Sequence, residues 1–199
     1  IYGFIAIAVG NGSIETTPYN ESAEVYPYIL DTISPSISLE FGRPRYDNYI
    51  TSNTPIYINA SDNTSFIIYW KIWGMMEGND SHNIILKINA EGEYTIGYWA
   101  VDEAGNKCPL HNVTLYVDNT PPMTIMEVGS PSYGSYITSN TTIYVDASDI
   151  VGIKEIHLNV FDGEWHNTTF YSNNVTFTLT NDSIINIYAI DNLNCSSIV

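Results

Sequence analysis

The stretch YITSNTPIYINASD at 49–62 returns as YITSNTTIYVDASD at 136–149, with eleven of fourteen positions identical at an offset of 87 residues. Within it, Ile56, Ile58 and Ala60 alternate with Tyr57, Asn59 and Ser61. Successive side chains of a strand point to opposite faces, so this period of two predicts a strand with one buried face. Ile156, Leu158 and Val160 alternate with His157 and Asn159 in the same way. Upstream, Gly42, Pro44 and Tyr46 match Gly129, Pro131 and Tyr133. Downstream, YTIGYWAVDEAGN (94–106) corresponds to SIINIYAIDNLN (183–194), the offset drifting to 89. A third copy opens the chain: YGFIAIAVGN (2–11) overlays YTIGYWAVDE (94–103), and YILD (28–31) overlays YVD (116–118). A period of about 90 residues is too long for a solenoid unit and suits one β-sandwich domain.

Composition agrees. The 28 Ile, 11 Val, 18 Thr and 16 Tyr among 199 residues are strand formers. Clusters of Gly, Asn, Asp, Ser and Pro punctuate the chain every 8–12 residues, as sandwich turns require. No stretch carries a helical period, so the expected fold is all-β: tandem antiparallel β-sandwiches joined by Pro-containing linkers, which the resemblance given below makes Ig-like. DNTPP (118–122) reads as a stiff extended joint, because proline cannot donate to a ladder and biases its predecessor to extended backbone. Residues 31–35, DTISP, play the same part more loosely. The expected organisation is then the last strands of a preceding, incomplete repeat over 1–32, a complete repeat over 33–119, and a repeat lacking its final strand over 120–199. With no initiator Met and no signal peptide, the chain reads as a mature or excised piece of something longer.

Only 6 Lys and Arg stand against 22 Asp and Glu, a formal net charge of −16. Binding to a nucleic-acid backbone needs basic side chains that are missing here, and an anionic membrane surface would repel the chain. The longest apolar run, Phe4 to Val9, falls far short of the ~20 residues of a membrane helix. Cys108 and Cys195 are too few for a disulfide framework. They occupy similar places in two repeats, which argues against a bridge between them.

The run YTIGYWAVDEAGN, then YVDNTPP, then a Gly-x-Pro-x-Tyr opening resembles the Ig-like or fibronectin-III-like repeats of archaeal and bacterial cell-surface proteins, S-layer and extracellular filament proteins among them. The resemblance spans essentially the whole chain. It implies an extracellular modular protein, and it leaves open whether the modules are spacers, adhesins or enzyme appendages. Tyr94, and its match Tyr2, stand where such folds place the tyrosine that pins the corner before the penultimate strand. The last repeat has Ser183 there.

Asn-x-Ser/Thr sequons occur at Asn11, Asn20, Asn59, Asn63, Asn79, Asn112, Asn140, Asn167, Asn174, Asn181 and Asn194. Composition alone gives roughly 4 by the motif definition, so eleven is a threefold excess. Turn-rich β proteins favour Asn, Ser and Thr, but that preference does not impose the +2 spacing. Dense N-glycosylation of an exported protein is the expectation, and the sugar would shield edge strands that so few Lys residues leave unguarded.

Carboxylates recur as well. In an Ig-like sandwich the second and sixth strands run in the same direction, so Asp62 and Asp102, each following one of them, should meet at one pole. Glu103 and Asn106 lie in the adjoining loop, and Asp31 approaches from the linker. Asp118, Asp149 and Asp191 repeat the arrangement. Three oxygen donors at a joint could hold Ca²⁺ and stiffen a rod, although Asp also commonly turns on its own backbone.

Catalysis finds no support: His82, His111, His157 and His166 are scattered, with no HExxH spacing, nucleophile elbow or P-loop. Glu164, Trp165 and His166 read as a solvated hairpin tip. Of the four tryptophans, Trp70 alternates with Ile68 and Ile72 and is expected in the core. Trp73 and Trp99, on the opposite parity, could offer an aromatic face to sugar. No catalytic residue and no required cofactor is expected. The expected partners are copies of the chain or other surface proteins, with neither nucleic acid nor membrane insertion in this segment. Two functions compete: a structural segment of a glycosylated surface layer or filament, and an adhesin or carbohydrate-binding spacer of a secreted protein. If Ile1 and Val199 are termini, strands from 1–30 could complete the last repeat of another copy by strand addition.

Overall fold

A computed structural model describes residues 30–197; the expected strands that fall within 1–29, and with them Asn11, Asn20 and Tyr2, lie outside the described residues. Every element among the described residues is a strand. The first sandwich contains β1 (Ser36–Phe41), β2 (Arg45–Tyr46), β3 (Tyr49–Ile50), β4 (Ile56–Ser61), β5 (Phe66–Ile72), β6 (Met76–Asp80), β7 (Ile84–Leu86), β8 (Gly92–Asp102) and β9 (His111–Val117). One sheet has the order β1-β4-β7 and the other β2-β3-β9-β8-β5-β6. The second contains β10 (Met123–Val128), β11 (Ser132–Tyr133), β12 (Tyr136–Ile137), β13 (Ile143–Ser148), β14 (Ile153–Phe161), β15 (Trp165–Phe170), β16 (Asn174–Phe177) and β17 (Ile184–Asp191). Its sheets are β10-β13-β16 and β15-β14-β17, with β11-β12 as a separate hairpin. In both, the first and second long strands and the short fifth share one sheet while the third, fourth and sixth share the other, the split of an Ig-like, fibronectin-III-like sandwich.

The alternation in the repeated segment becomes the core. Ile56 and Ile58 of β4 face Ile68, Ile72, Ile96 and Ala100 of the opposite sheet, and all six are buried. Ile143 and Val145 of β13 pack likewise on Ile156, Leu158, Ile187 and Ala189. Branched side chains fit this pleated, one-face-buried surface, and each such side chain contributes about 1.5–3 kcal/mol on burial. The turn before β4 is built twice: Thr54 Oγ1 accepts from the Thr51 amide and donates to the Pro44 carbonyl, as Thr141 does with Thr138 and Pro131. Gly42 explains the matched glycines, since a Cβ there would sit 2.6 Å from Pro55 Cγ, where the Gly42 amide donates to the Pro55 carbonyl.

The two sandwiches differ at one edge. In the first, β9 runs antiparallel to β8 and parallel to β3, and Tyr49 stacks on Tyr116 with ring centroids 5.1 Å apart. Among the described residues no strand takes that place beside β12 and β17, and Ile137 is 37% exposed where its counterpart Ile50 is 1%.

The linker is fixed by the first sandwich. The Asp118 amide donates to the Ile50 carbonyl at 2.9 Å. Asn119 Oδ1 accepts from the Ser52 amide and hydroxyl, both at 2.9 Å, and the Asn119 amide donates to Glu91 Oε1. Tyr94 Oη reaches back to the Glu91 carbonyl at 3.5 Å, the corner contact expected of it. At the matching corner Ser183 Oγ donates to the Asn181 carbonyl instead.

Candidate metal centres at the domain joints

The co-directional second and sixth strands bring their ends to one pole, as the topology requires. Asp62 follows β4 and Asp102 ends β8; with Asp31 they place one carboxylate oxygen each within 4.8 Å of one another. Asp149 follows β13, Asp191 ends β17, and Asp118 arrives on the linker, with the same spacing. The loops after β8 and β17 are superposable in their bonding. The Asn106 amide donates to Asp102 Oδ1 at 2.7 Å, and the Cys195 amide to Asp191 Oδ1 at 2.7 Å. Gly105 and Asn194 both take the left-handed backbone there, at φ 89 and 67, which Gly and Asn tolerate best.

The side chains around the two triads differ. At the first joint Asn106 Nδ2 donates to Asp102 Oδ2 at 2.8 Å and to the Asp31 carbonyl at 3.2 Å. Thr64 Oγ1 lies within hydrogen-bond distance of Asp31 Oδ2 and Asp62 Oδ1. At the second joint these positions are Cys195 and Val151. Each carboxylate there keeps one bond or more from backbone amides: Thr120 to Asp118 Oδ1, Val151 to Asp149 Oδ1, Leu193 to Asp191 Oδ1. The Oδ2 atoms of Asp118 and Asp191 are buried without a partner. A buried acceptor left without a donor costs about 1–3 kcal/mol, more when it is charged.

Proton affinities follow. Burial alone would raise the Asp102 carboxyl, but the combined hydrogen bonds from Asn106, Gly105 and Ala104 hold it below its ordinary value. Burial raises the Asp149 carboxyl, and the charges of Asp118 and Asp191 add to the rise. Asp191 is raised by burial and, less, by the charge of Asp118, against the opposing amides of Cys195 and Leu193 and the Cys195 thiol. Burial and the surrounding carboxylates push the Cys195 thiol up to about 11, so it stands beside the triad as a neutral SH. Both cysteines are free.

Elsewhere, Arg43, Arg45 and Lys154 line a cleft of about 980 Å³ together with Asn53, Asn119 and Asn192. These are three of the chain's six basic residues, a grouping that sequence reading missed because they are scattered in the chain. Of the nine described sequon asparagines, eight are exposed: Asn63, Asn79, Asn112, Asn140, Asn167, Asn174, Asn181 and Asn194. Asn59 is half-buried in β4. Asn181 Nδ2, the atom a glycan would occupy, donates to Asp162 Oδ2 at 3.1 Å.

The four tryptophans lie in different settings. Trp70 is half-buried over Gly78 and packs on the core. Trp99 is half-buried, with one face stacked on Tyr69 at 5.4 Å and Lys107 Nζ 5.1 Å from its ring centre. Trp73 is exposed, with Lys71 Nζ at 5.0 Å. Glu164, Trp165 and His166 are exposed at the hairpin tip, where His166 Nε2 meets Asp162 Oδ1 at 3.0 Å.

No family model and no curated protein matches the chain. Among solved structures it is similar to the fibronectin(III)-like modules of Clostridium thermocellum CbhA, at 18% identity over 80% of this chain and 89% of that one, TM-score 0.41. It is also similar to the FN1–FN3 domains of chicken CNTN1, at 12% identity over 84% and 67%, TM-score 0.34. A third likeness is to carbohydrate-binding modules of the β-sandwich superfamily, at 12% identity over 85% and 100%, TM-score 0.37. The strand order, independent of any of these, makes the described residues a tandem of Ig-like, fibronectin-III-like β-sandwiches.

Proposed function

We propose that this chain is a non-catalytic structural segment of an N-glycosylated extracellular surface-layer or filament protein, its sandwiches serving as rigid repeats in self-assembly. The carrying observation is the distribution of sequons: eight of the nine described asparagines are exposed, and they lie on both sandwiches. Glycans so placed would remain solvated and crowd the outer strands, limiting pairing to the surfaces left bare. The hydrogen-bonded linker supports rigidity, since Asn119 is held from three directions by Ser52 and Glu91.

The test is peptide mapping of the protein from its native source, with masses taken before and after removal of N-glycans. Sugar on most of the eleven asparagines, and a mass loss of several kilodaltons per 22.3 kDa of this sequence, is the expected result. Unmodified asparagines throughout would defeat the reading.

One observation favours a second reading, an adhesin or carbohydrate-binding spacer. A chain of net charge −16 gathers half of its basic residues, Arg43, Arg45 and Lys154, in one cleft. That cleft suits an anionic sugar. Retention of the chain on a uronic-acid polysaccharide, lost in an Arg43→Ala/Lys154→Ala variant, would move the assignment there.

A further inference from the structure

We propose that Asp118, Asp149 and Asp191 form a Ca²⁺ site that locks the second sandwich onto a linker residue held by the first. The cluster of acids alone would not carry this. The deciding observation is that Asp118 and Asp191, 7% and 0% exposed, each keep a buried Oδ2 with no donor. Their Oδ1 atoms are already engaged by backbone amides, so the free oxygens are those left to bind something else. The first joint shows what a satisfied version looks like. There, on the same backbone, the Asn106 amide group and the Thr64 hydroxyl sit among the carboxylates. Replacing them by Cys195 and Val151 removes the strong donors and keeps all three acids. A cation is the species that answers three converging carboxylates whose nearest side-chain donor is the weak Cys195 thiol.

The donor set selects the ion. All three side chains offer oxygen, and no histidine joins the cluster, which points away from zinc and copper. One oxygen from each lies within 4.8 Å of the others, the spread that metal–oxygen distances of about 2.4 Å allow. Mg²⁺ surrenders its water shell reluctantly, whereas Ca²⁺ accepts irregular sites with few waters. With two of the three carboxylates almost wholly buried, Ca²⁺ is the better fit. Its mechanical effect follows from the connectivity. Asp118 is tied through its amide to Ile50 of the first sandwich, while Asp149 follows β13 and Asp191 ends β17 in the second. An ion shared by the three ties the second sandwich to the linker that the first one holds.

The experiment uses the full 199-residue chain, stripped with a chelator and titrated with CaCl₂ by calorimetry, with thermal unfolding in parallel. A saturating event and a rise in melting temperature of about 5–10 °C at hundredfold excess over Kd are expected. Asp191→Asn should melt no lower than the parent in chelator, because it removes a buried charge, yet lose the calcium response and more than about tenfold in affinity. The Val151→Thr/Cys195→Asn variant, which rebuilds the donors of the first joint, should also bind more weakly. Identical melting with chelator and with Ca²⁺, or an Asp191→Asn variant that binds as the parent does, would overturn the site. An equal shift from Mg²⁺ at the same concentration would overturn the choice of ion.

Discussion

The joint before the first sandwich and the joint before the second are built on one backbone plan, and among their differences two fall beside the acids, Thr64 against Val151 and Asn106 against Cys195. Asp31, Asp62 and Asp102 enclose Thr64 and Asn106; Asp118, Asp149 and Asp191 enclose Val151 and Cys195. The first set leaves no buried carboxylate oxygen without a partner, and the second leaves two unanswered. Matched acids therefore say little about binding. The neutral neighbours decide whether a carboxylate cluster is a closed hydrogen-bond network or an open site, because a buried charge must find a donor, a proton or a cation.

If the joints differ while the scaffold is shared, matched core truncations must cost the same. Ile56→Ala and Ile143→Ala, each at a buried position of the repeated segment, should both destabilise their sandwich by about 3 kcal/mol. Urea unfolding of each variant checks this, and a disparity above about 1.5 kcal/mol would break the equivalence.

The next largest effect converts the first joint into the second. A Thr64→Val/Asn106→Cys variant removes the Thr64 hydroxyl, which reaches Asp31 or Asp62, and the Asn106 side-chain donor to Asp102, leaving the backbone donors, and should cost about 2 kcal/mol in chelator. Added Ca²⁺ should recover part of that loss. Recovery by calcium would sharpen the comparison; an unchanged midpoint in chelator would break it.

Smaller still is Tyr94→Phe. It deletes a long contact to the Glu91 carbonyl that Ser183 does not reproduce in the second sandwich, so a loss under about 1 kcal/mol, confined to the first unfolding transition, is expected.

The weakest signal is pH, because the two joints oppose each other within one chain. Asp149 and Asp191 are raised in the fold. The folded state then holds protons that the unfolded chain releases, so without Ca²⁺ their contribution grows as the pH falls and is lost as it rises through the raised values. Asp102 is lowered; its contribution is present above the ordinary carboxylate value of 3.8 and is lost as the pH falls through its folded value. Asp191→Asn removes part of the first contribution. Its stability, followed by urea unfolding between about pH 3 and 7, should fall more steeply with acid than the parent's.

Much of this was legible in the chain itself. The alternation at 56–60 and its return 87 residues later specified strands, their buried faces and a tandem of sandwiches, because side-chain periodicity is a local property of the backbone. The six aspartates were legible too, once the second and sixth strands were known to run in the same direction. Sequence could not weigh Thr64 against Val151 or Asn106 against Cys195, although both pairs stand in plain alignment. Their meaning depends on which carboxylate oxygen is buried and whether a donor reaches it, and distances of a few tenths of an ångström settle that. Burial similarly separated Trp99, half-covered by Tyr69, from the exposed Trp73, although both share one parity. The gathering of Arg43, Arg45 and Lys154 in one cleft is likewise tertiary, since 111 residues separate the outer two. Period and composition determined the fold of this protein; the packing of two loops and a linker decided which of its acid clusters is left open to a cation.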